Sequence, residues 1–323
     1  MTARPTAQRL LRLSSRPMST HTTAASAPAE AAAANPAHNQ IMKLPDGRTL
    51  GFAEYGDPRG LKTLLYFHGY PSSRVEAKAL HRLAAVHSIR VLALDRPGYG
   101  LSTPQPRRQL LDWPRDVAAF ADRQGLDRFA VLGASGGGPF AVVLANRCPG
   151  LLAAATAAAL RVVRWLVGTR FVEQRLDAWL ELATRQARDK EARRLERDPG
   201  ARPSLVVGTA EEDGRRVAER RVALLDLLVG EPFAQGPDGA VQEARILTDD
   251  DWGFRLEEVG VPIKIWHGAK DTNAPIEAIR YLADRLPRAE LHEFAEDTHY
   301  TMGDHVEEAV LDLMGENNGE EKV

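Results

Sequence analysis

Phe129-Ala-Val-Leu-Gly133-Ala-Ser135-Gly-Gly137-Gly-Pro139 reads as strand, sharp turn and helix with a serine at the apex. The apolar run from Phe129 to Leu132 predicts a buried strand, and Phe140 to Arg147 predicts the helix after the turn. Between them, Gly133-x-Ser135-x-Gly137 puts glycines on both sides of the serine. Strand and helix approach closely only where no Cβ intervenes, so Gly133 and Gly137 support the turn. The arrangement lifts the serine hydroxyl clear of the backbone. It also places it at a helix N-terminus, where free N–H groups favour developing negative charge. Ser135 is therefore the candidate nucleophile.

Upstream, the chain alternates strand and helix signals. Ile41–Leu44 and Thr49–Tyr55 are short strands separated by the turn Pro45-Asp46-Gly47. Thr63–Phe67 is almost wholly apolar, as expected for a central strand buried on both faces. Val75–Val86 has a helical apolar face. Ile89–Leu94 is another buried strand, and Leu110–Gln124 is helical with Pro114 in its first turn. This alternation predicts a mostly parallel sheet with helices on both faces. In such sheets, ligands bind beyond the carboxyl ends of the strands.

Downstream, Leu151–Leu160 occupies the position of the next strand, although its alanines favour helix. Residues 161–252 then break the rhythm with charged amphipathic helices at Phe171–Leu195 and Ala218–Val229. So long an insertion is not a structureless loop, and it predicts a helical cap over the site. Trp165, Phe171, Trp179, Phe233, Trp252 and Phe254 are candidates for cap core or pocket lining. Strand and helix return at Val261–Trp266, Pro275–Leu286, Glu290–Phe294 and Val306–Met314. The folded core thus takes residues 40–160 and 253–314, and 315–323 form a polar tail.

Three residues fall at strand ends in the order Ser135, Asp271, His299. A serine hydroxyl is a weak nucleophile at neutral pH. A histidine that accepts its proton during attack activates it. A carboxylate on the other ring nitrogen fixes the tautomer and stabilises the imidazolium. Asp297 is a rival acid, but it lies too near His299 in sequence to reach it without folding back within one loop. His267 and His68 are expected to brace structure rather than move protons. His81, His87, His292 and His305 are expected to be solvated. Attack on a carbonyl also needs donors where the oxyanion develops. Gly136 N–H, directly after the serine, is one candidate. Tyr70 N–H, in the loop His68-Gly69-Tyr70-Pro71 after Thr63–Phe67, is the other, with Gly69 permitting a tight backbone.

With these pieces in view, the chain resembles the large family of capped serine hydrolases with the α/β-hydrolase fold. The resemblance rests on His68-Gly-Tyr-Pro, Asp95-Arg-Pro-Gly-Tyr-Gly-Leu-Ser102, Gly133-Ala-Ser-Gly-Gly137, Gly268-Ala-Lys-Asp271 and Asp297-Thr-His299. It implies nucleophile Ser135, acid Asp271, base His299 and a cap that shapes the pocket. A serine rather than an aspartate nucleophile argues against haloalkane dehalogenases and epoxide hydrolases. His68-Gly-Tyr-Pro-Ser72 departs from the glycine-richer loop of proline iminopeptidases. The implied reaction is hydrolysis of a small or medium carboxylic ester or thioester through an acyl-enzyme. An acyltransferase, a C–C bond hydrolase or a non-catalytic ligand receptor on the same fold remain alternatives. The expected partners are a small acyl substrate and water, with no metal and no cofactor. Substrate identity and oligomeric state are left open.

Composition excludes other classes. The 323 residues carry a net charge of −2, with 44% hydrophobic and 27% charged residues, so no global field points to nucleic acid. No run of about 18 uncharged apolar residues marks a membrane span. The single cysteine, Cys148, rules out an intramolecular disulfide and reads as a small buried apolar residue. Residues 1–39 are basic and hydroxyl-rich with Glu30 as the first acid, the composition of a mitochondrial transit segment; a cytoplasmic protein is the alternative.

Overall fold

A computed structural model describes residues 36–158, 193, 196–197, 225–249 and 251–315. Residues 1–35 of the transit-like segment, the expected helix at Phe171–Leu195 apart from residue 193, most of the expected cap and the polar tail from 316 onward lie outside the described residues.

Eight strands form one sheet in the order β1-β2-β4-β3-β5-β6-β7-β8. They are β1 (Gln40–Lys43), β2 (Thr49–Gly56), β3 (Lys62–Phe67), β4 (Ile89–Leu94), β5 (Phe129–Ala134), β6 (Leu152–Ala158), β7 (Ile263–Gly268) and β8 (Ala289–Phe294). β1 pairs antiparallel with β2, and β2 antiparallel with β4. From β4 through β8 every pairing is parallel. The described helices are α1 (His81–Val86), α2 (Trp113–Gln124), α3 (Gly138–Arg147), α4 (Asp238–Leu247), α5 (Ile276–Arg285) and α6 (Val306–Leu313).

Side chains alternate between two cores, as the period of a strand requires. Leu65, Phe67, Leu92, Leu94, Phe129 and Val131 face one side, against α2, α3 and α5. Leu64, Tyr66, Val91, Ala93, Ala130 and Leu132 face the other, against α1 and α6. Burying each large apolar side chain contributes roughly 1.5–3 kcal/mol. This double cover explains the apolar runs Leu64–Phe67 in β3, Val91–Leu94 in β4 and Phe129–Ala134 in β5. Cys148 is half-buried against the first core, and burial pushes its thiol pKa up.

Local signals explain the element ends. Gln109 N–H donates to Asp112 Oδ2 at 2.8 Å, capping a 3-10 turn at Leu110–Asp112 that leads into α2. Pro114 lies in the first turn of α2, where its missing N–H costs nothing, and Gly125 ends the helix at φ +64°. One expectation is modified. Residues predicted as one helix over 75–86 split into a 3-10 turn, Arg74–Leu80, followed by α1. Within that turn Arg74 N–H is tied to Asp95 Oδ1 at 2.6 Å, and Glu76 Oε2 accepts Gly69 N–H at 2.7 Å. The alanine-rich stretch is indeed a strand. β6 bonds to β5 on one side and β7 on the other, and that doubly paired slot outweighs alanine's helix propensity.

Candidate active site

Parallel strands deliver β3, β5, β7 and β8 to the same edge of the sheet, and the predicted site residues lie just beyond it, apart from Gly133 near the end of β5. After β5, Ser135 begins a 3-10 turn, Ser135–Gly137, that leads into α3. Its φ is +57°, a left-handed conformation that costs a residue with a Cβ about 1–3 kcal/mol. The surrounding backbone enforces it. A Cβ on Gly133 would lie 2.4 Å from Gly137 O, and one on Gly137 would lie 2.2 Å from Phe67 O. Both positions thus require glycine. Ser135 is buried, and its Oγ has no hydrogen-bond partner among the described residues.

The loop after β3 lies against this turn. A Cβ on Gly69 would come within 3.4 Å of Ser135 Cβ. A Cβ on Gly136 would meet Tyr70 Cβ at 2.6 Å and Tyr70 N at 3.3 Å. The backbones of Tyr70 and Gly136 are therefore neighbours beside the serine. His68 braces the loop, as expected. Its Nδ1 bonds Gly69 O at 2.8 Å, and its Nε2 accepts Arg96 N–H at 3.2 Å. Burial pushes the pKa of His68 well below its ordinary value, and the imidazole is neutral. The Tyr70 ring packs with Tyr99, Ala240, Phe233 and Leu247, and its hydroxyl donates to Ala240 O at 3.1 Å.

The loops after β7 and β8 bring the candidate acid and the candidate base together. His299 Nδ1 lies 2.8 Å from Asp271 Oδ2. Asp271 Oδ1 accepts the N–H groups of Asn273 and Ala274 at 2.7 and 3.0 Å, which orients the carboxylate. Asp271 and His299 are both buried. With Nδ1–H donating to the carboxylate, Nε2 is the nitrogen left to accept a proton. The rival Asp297 turns away, with its Oδ2 3.0 Å from His305 Nε2. His267 is fully buried, with Nε2 bonded to Ala274 O at 2.9 Å, and burial lowers its pKa.

Of the histidines expected to be solvated, His81 is exposed, while His292 and His305 are half-buried. His81 Nδ1 accepts Gly56 N–H at 3.0 Å, His292 stacks on Trp266, and His305 bonds Asp297 and stacks on Phe294. Of the aromatic candidates, Phe233 packs by Tyr70, whereas Trp252 and Phe254 join the main core. Trp165, Phe171 and Trp179 lie outside the described residues.

Sequence reasoning missed the charges beneath the site. Arg96 and Glu243 are both fully buried and form an ion pair, with Arg108 as a second cation on Glu243 at 2.6 Å. Against the upward push of burial, Arg96 and then Arg108 hold the Glu243 carboxyl down to about 2. Arg74 and Asp95 form another buried pair, joined by Glu231 at 2.7 Å. Arg96 stood inside a quoted motif, but its partner is far along the chain, so no local spacing announced the pair. Among the described residues, no cluster of His, Cys, Asp or Glu is arranged to hold a metal ion. No described helix is long and apolar enough to cross a membrane.

Comparison with known proteins places this geometry. The family described by the alpha/beta hydrolase fold matches residues 62–306. A pimeloyl-[acyl-carrier protein] methyl ester esterase from Aromatoleum aromaticum is 36% identical over 66 residues, 20% of this chain and 26% of the esterase. The chain therefore spans about a quarter of the length of that curated relative. Among solved structures, a hydrolase from Pseudomonas aeruginosa PA01 superposes with a TM-score of 0.59 at 22% identity, over 87% of this chain and all of that one (100%). The esterase EaEST from Exiguobacterium antarcticum gives 0.58 at 19%, over 86% and 98%. At these identities the superpositions establish the fold.

Proposed function

The chain belongs to the alpha/beta hydrolase family, and on that premise we propose that it is a serine hydrolase of small or medium carboxylic esters or thioesters. The observation that carries this reading is Ser135: a non-glycine residue held at φ +57°, buried, with its Oγ uncommitted. The 2.8 Å contact between Asp271 and His299 supports it. So does the partial likeness to an esterase of a methyl ester.

In the proposed reaction, Ser135 Oγ attacks the substrate carbonyl carbon and His299 Nε2 takes the hydroxyl proton. Asp271 stabilises the imidazolium that results. The carbonyl oxygen becomes an oxyanion and accepts hydrogen bonds from Tyr70 and Gly136 N–H. The C–O or C–S bond to the leaving group breaks, the departing alcohol or thiol takes the proton from His299, and the acyl group stays on Ser135. Water, deprotonated by His299, attacks that ester and releases the acid. No step calls for a metal or a cofactor. The segment at 161–252 acts as the cap, and its returning end, with Phe233 and Leu247 beside Tyr70, forms one wall of the acyl pocket.

The test is labelling by a fluorophosphonate with peptide mapping, alongside turnover of p-nitrophenyl esters of graded acyl length. We expect stoichiometric labelling at Ser135 and ester turnover, both lost in Ser135→Ala while the fold is retained. Well-folded wild-type protein that takes no label and turns over esters no faster than Ser135→Ala would overturn the reading and leave a ligand-binding protein on this fold.

A further inference from the structure

Beneath the loop His68–Tyr70 lies a buried cation that no chemical step above uses. Arg96 directs its guanidinium at the backbone of that loop: Nη1 donates to His68 O, and Nη2 donates to Gly69 O at 3.0 Å. The same guanidinium pairs with Glu243 of α4, with Nε 2.8 Å from Oε2 and Nη2 on Oε1. The Phe140 ring lies 4.6 Å from the guanidinium carbon and holds the plane from one face. On the other side of the loop, Glu76 Oε2 accepts Gly69 N–H.

We propose that Arg96, fixed by Glu243, is a positioning residue that aims the Tyr70 amide at the oxyanion; the proposal rests on the acyl-transfer reading above. A trans peptide is planar, with its N–H and C=O pointing in opposite directions. The His68–Gly69 peptide is anchored at both ends, by Arg96 on its carbonyl and Glu76 on its N–H. The Gly69–Tyr70 peptide is anchored at its carbonyl, by Arg96 and by His68 Nδ1 at 2.8 Å. Fixing that carbonyl fixes the direction of Tyr70 N–H, and Tyr70 N lies against Gly136 beside Ser135. A cation on the carbonyl also polarises the peptide and makes its N–H a stronger donor. Gly69 gives the loop freedom to swing, so the anchoring matters here more than it would in a strand.

Energetics favour a role beyond stability. A buried ion pair is often no better for stability than apolar side chains of the same size. Arg96 and Glu243 are far apart in sequence, and Glu243 lies in the segment that returns from the insertion between β6 and β7. The direction of the Tyr70 amide is thereby tied to the placement of α4.

Arg96→Lys in the full chain tests this. It keeps a cation opposite Glu243 but loses the fork that reaches two carbonyls. On a p-nitrophenyl ester we expect kcat to fall about 10- to 100-fold, less than the loss of a whole oxyanion donor, with KM within about twofold. Affinity for an alkyl trifluoromethyl ketone, whose adduct with Ser135 carries the oxyanion, should fall by the same factor as kcat. Affinity for the matching methyl ketone should hold. A purely structural loss would lower the titre of labelled sites and leave the ratio of the two ketone affinities unchanged. Arg96→Met combined with Glu243→Met removes both charges together, and should show the same split should Arg96→Lys not fold. An unchanged kcat, or an unchanged ketone ratio, in either folded variant overturns the proposal. Wild-type protein that takes no fluorophosphonate label at Ser135 overturns the acyl-transfer reading and the proposal with it. Labelled wild type beside an unaffected Arg96→Lys overturns the proposal alone.

Discussion

The two halves of the candidate site are held by different physics. Around Ser135 and Tyr70, position comes from backbone in direct contact and from charges buried beneath it. Gly133, Gly136 and Gly137 admit no Cβ, and Arg96 reaches Glu243 across the fold. Around Asp271 and His299, position comes from a tight turn after β7 and from backbone bonds that join it to the loop after β8. Asp271 is oriented by Asn273 and Ala274, and Gly268 packs on Asp297 O, where a Cβ would come to 2.4 Å. The serine half is set by close backbone contact and buried charge, while the half that holds Asp271 and His299 is assembled by two loops that meet at the 2.8 Å contact between those side chains and at backbone bonds from Ala269 N–H to Phe294 O (2.8 Å) and from Lys270 N–H to Asp297 O (2.9 Å). An oxyanion site must be set before charge develops, because reorganising donors during the reaction costs energy. A histidine that takes and returns a proton needs one firm partner and freedom at its other nitrogen.

This contrast can be broken in three places. The largest effect is expected at the contact between Asp271 and His299. Asp271→Asn should lower kcat by about 10³–10⁴-fold by disrupting the tautomer of His299. Asp297→Asn, whose carboxylate faces His305, should leave kcat near wild type. Reversal of these two results in steady-state ester kinetics would reassign the acid.

Second comes the buried charge of the serine half. Glu243 in the folded protein titrates near 2 instead of 4.5. A carboxyl with a depressed folded pKa contributes stability above its unfolded pKa and loses it as pH falls toward the folded one. Glu243 should therefore contribute on the order of 3 kcal/mol above about pH 4.5, declining toward pH 2. Urea unfolding of wild type and Glu243→Gln across this range should show a gap that closes with acid. A gap independent of pH would mean that Glu243 acts by packing alone.

The smallest effect is steric. Gly137→Ala should cost about 2 kcal/mol of stability, because its Cβ meets a backbone carbonyl that can only partly yield. Thermal unfolding measures it, and a variant as stable as wild type would show that the close approach of β3 and α3 is not a constraint.

Legibility in the sequence followed the same division. Ser135 and its glycines stood out because their constraint is local: strand, turn and helix occupy consecutive residues. The strands were readable because burial on both faces removes polar residues from them. Leu151–Leu160 was ambiguous in isolation, since alanine favours helix, and only its slot between β5 and β7 settled it. His68 was legible as a brace, and its partner Arg96 was visible only as part of a motif. The histidines at 292 and 305 were misjudged because their partners come from other elements.

Residue order alone determined the alternation of elements and the serine turn, and it led to the expectation that Asp271 rather than Asp297 partners His299, since each depends on local spacing and chain order. Tertiary structure decided what lies beneath the site. Arg96 with Glu243 and Arg74 with Asp95 and Glu231 are pairs formed by remote segments. A charge enters a protein interior only where an opposite charge meets it, and that meeting depends on how the whole sheet and α4 come together.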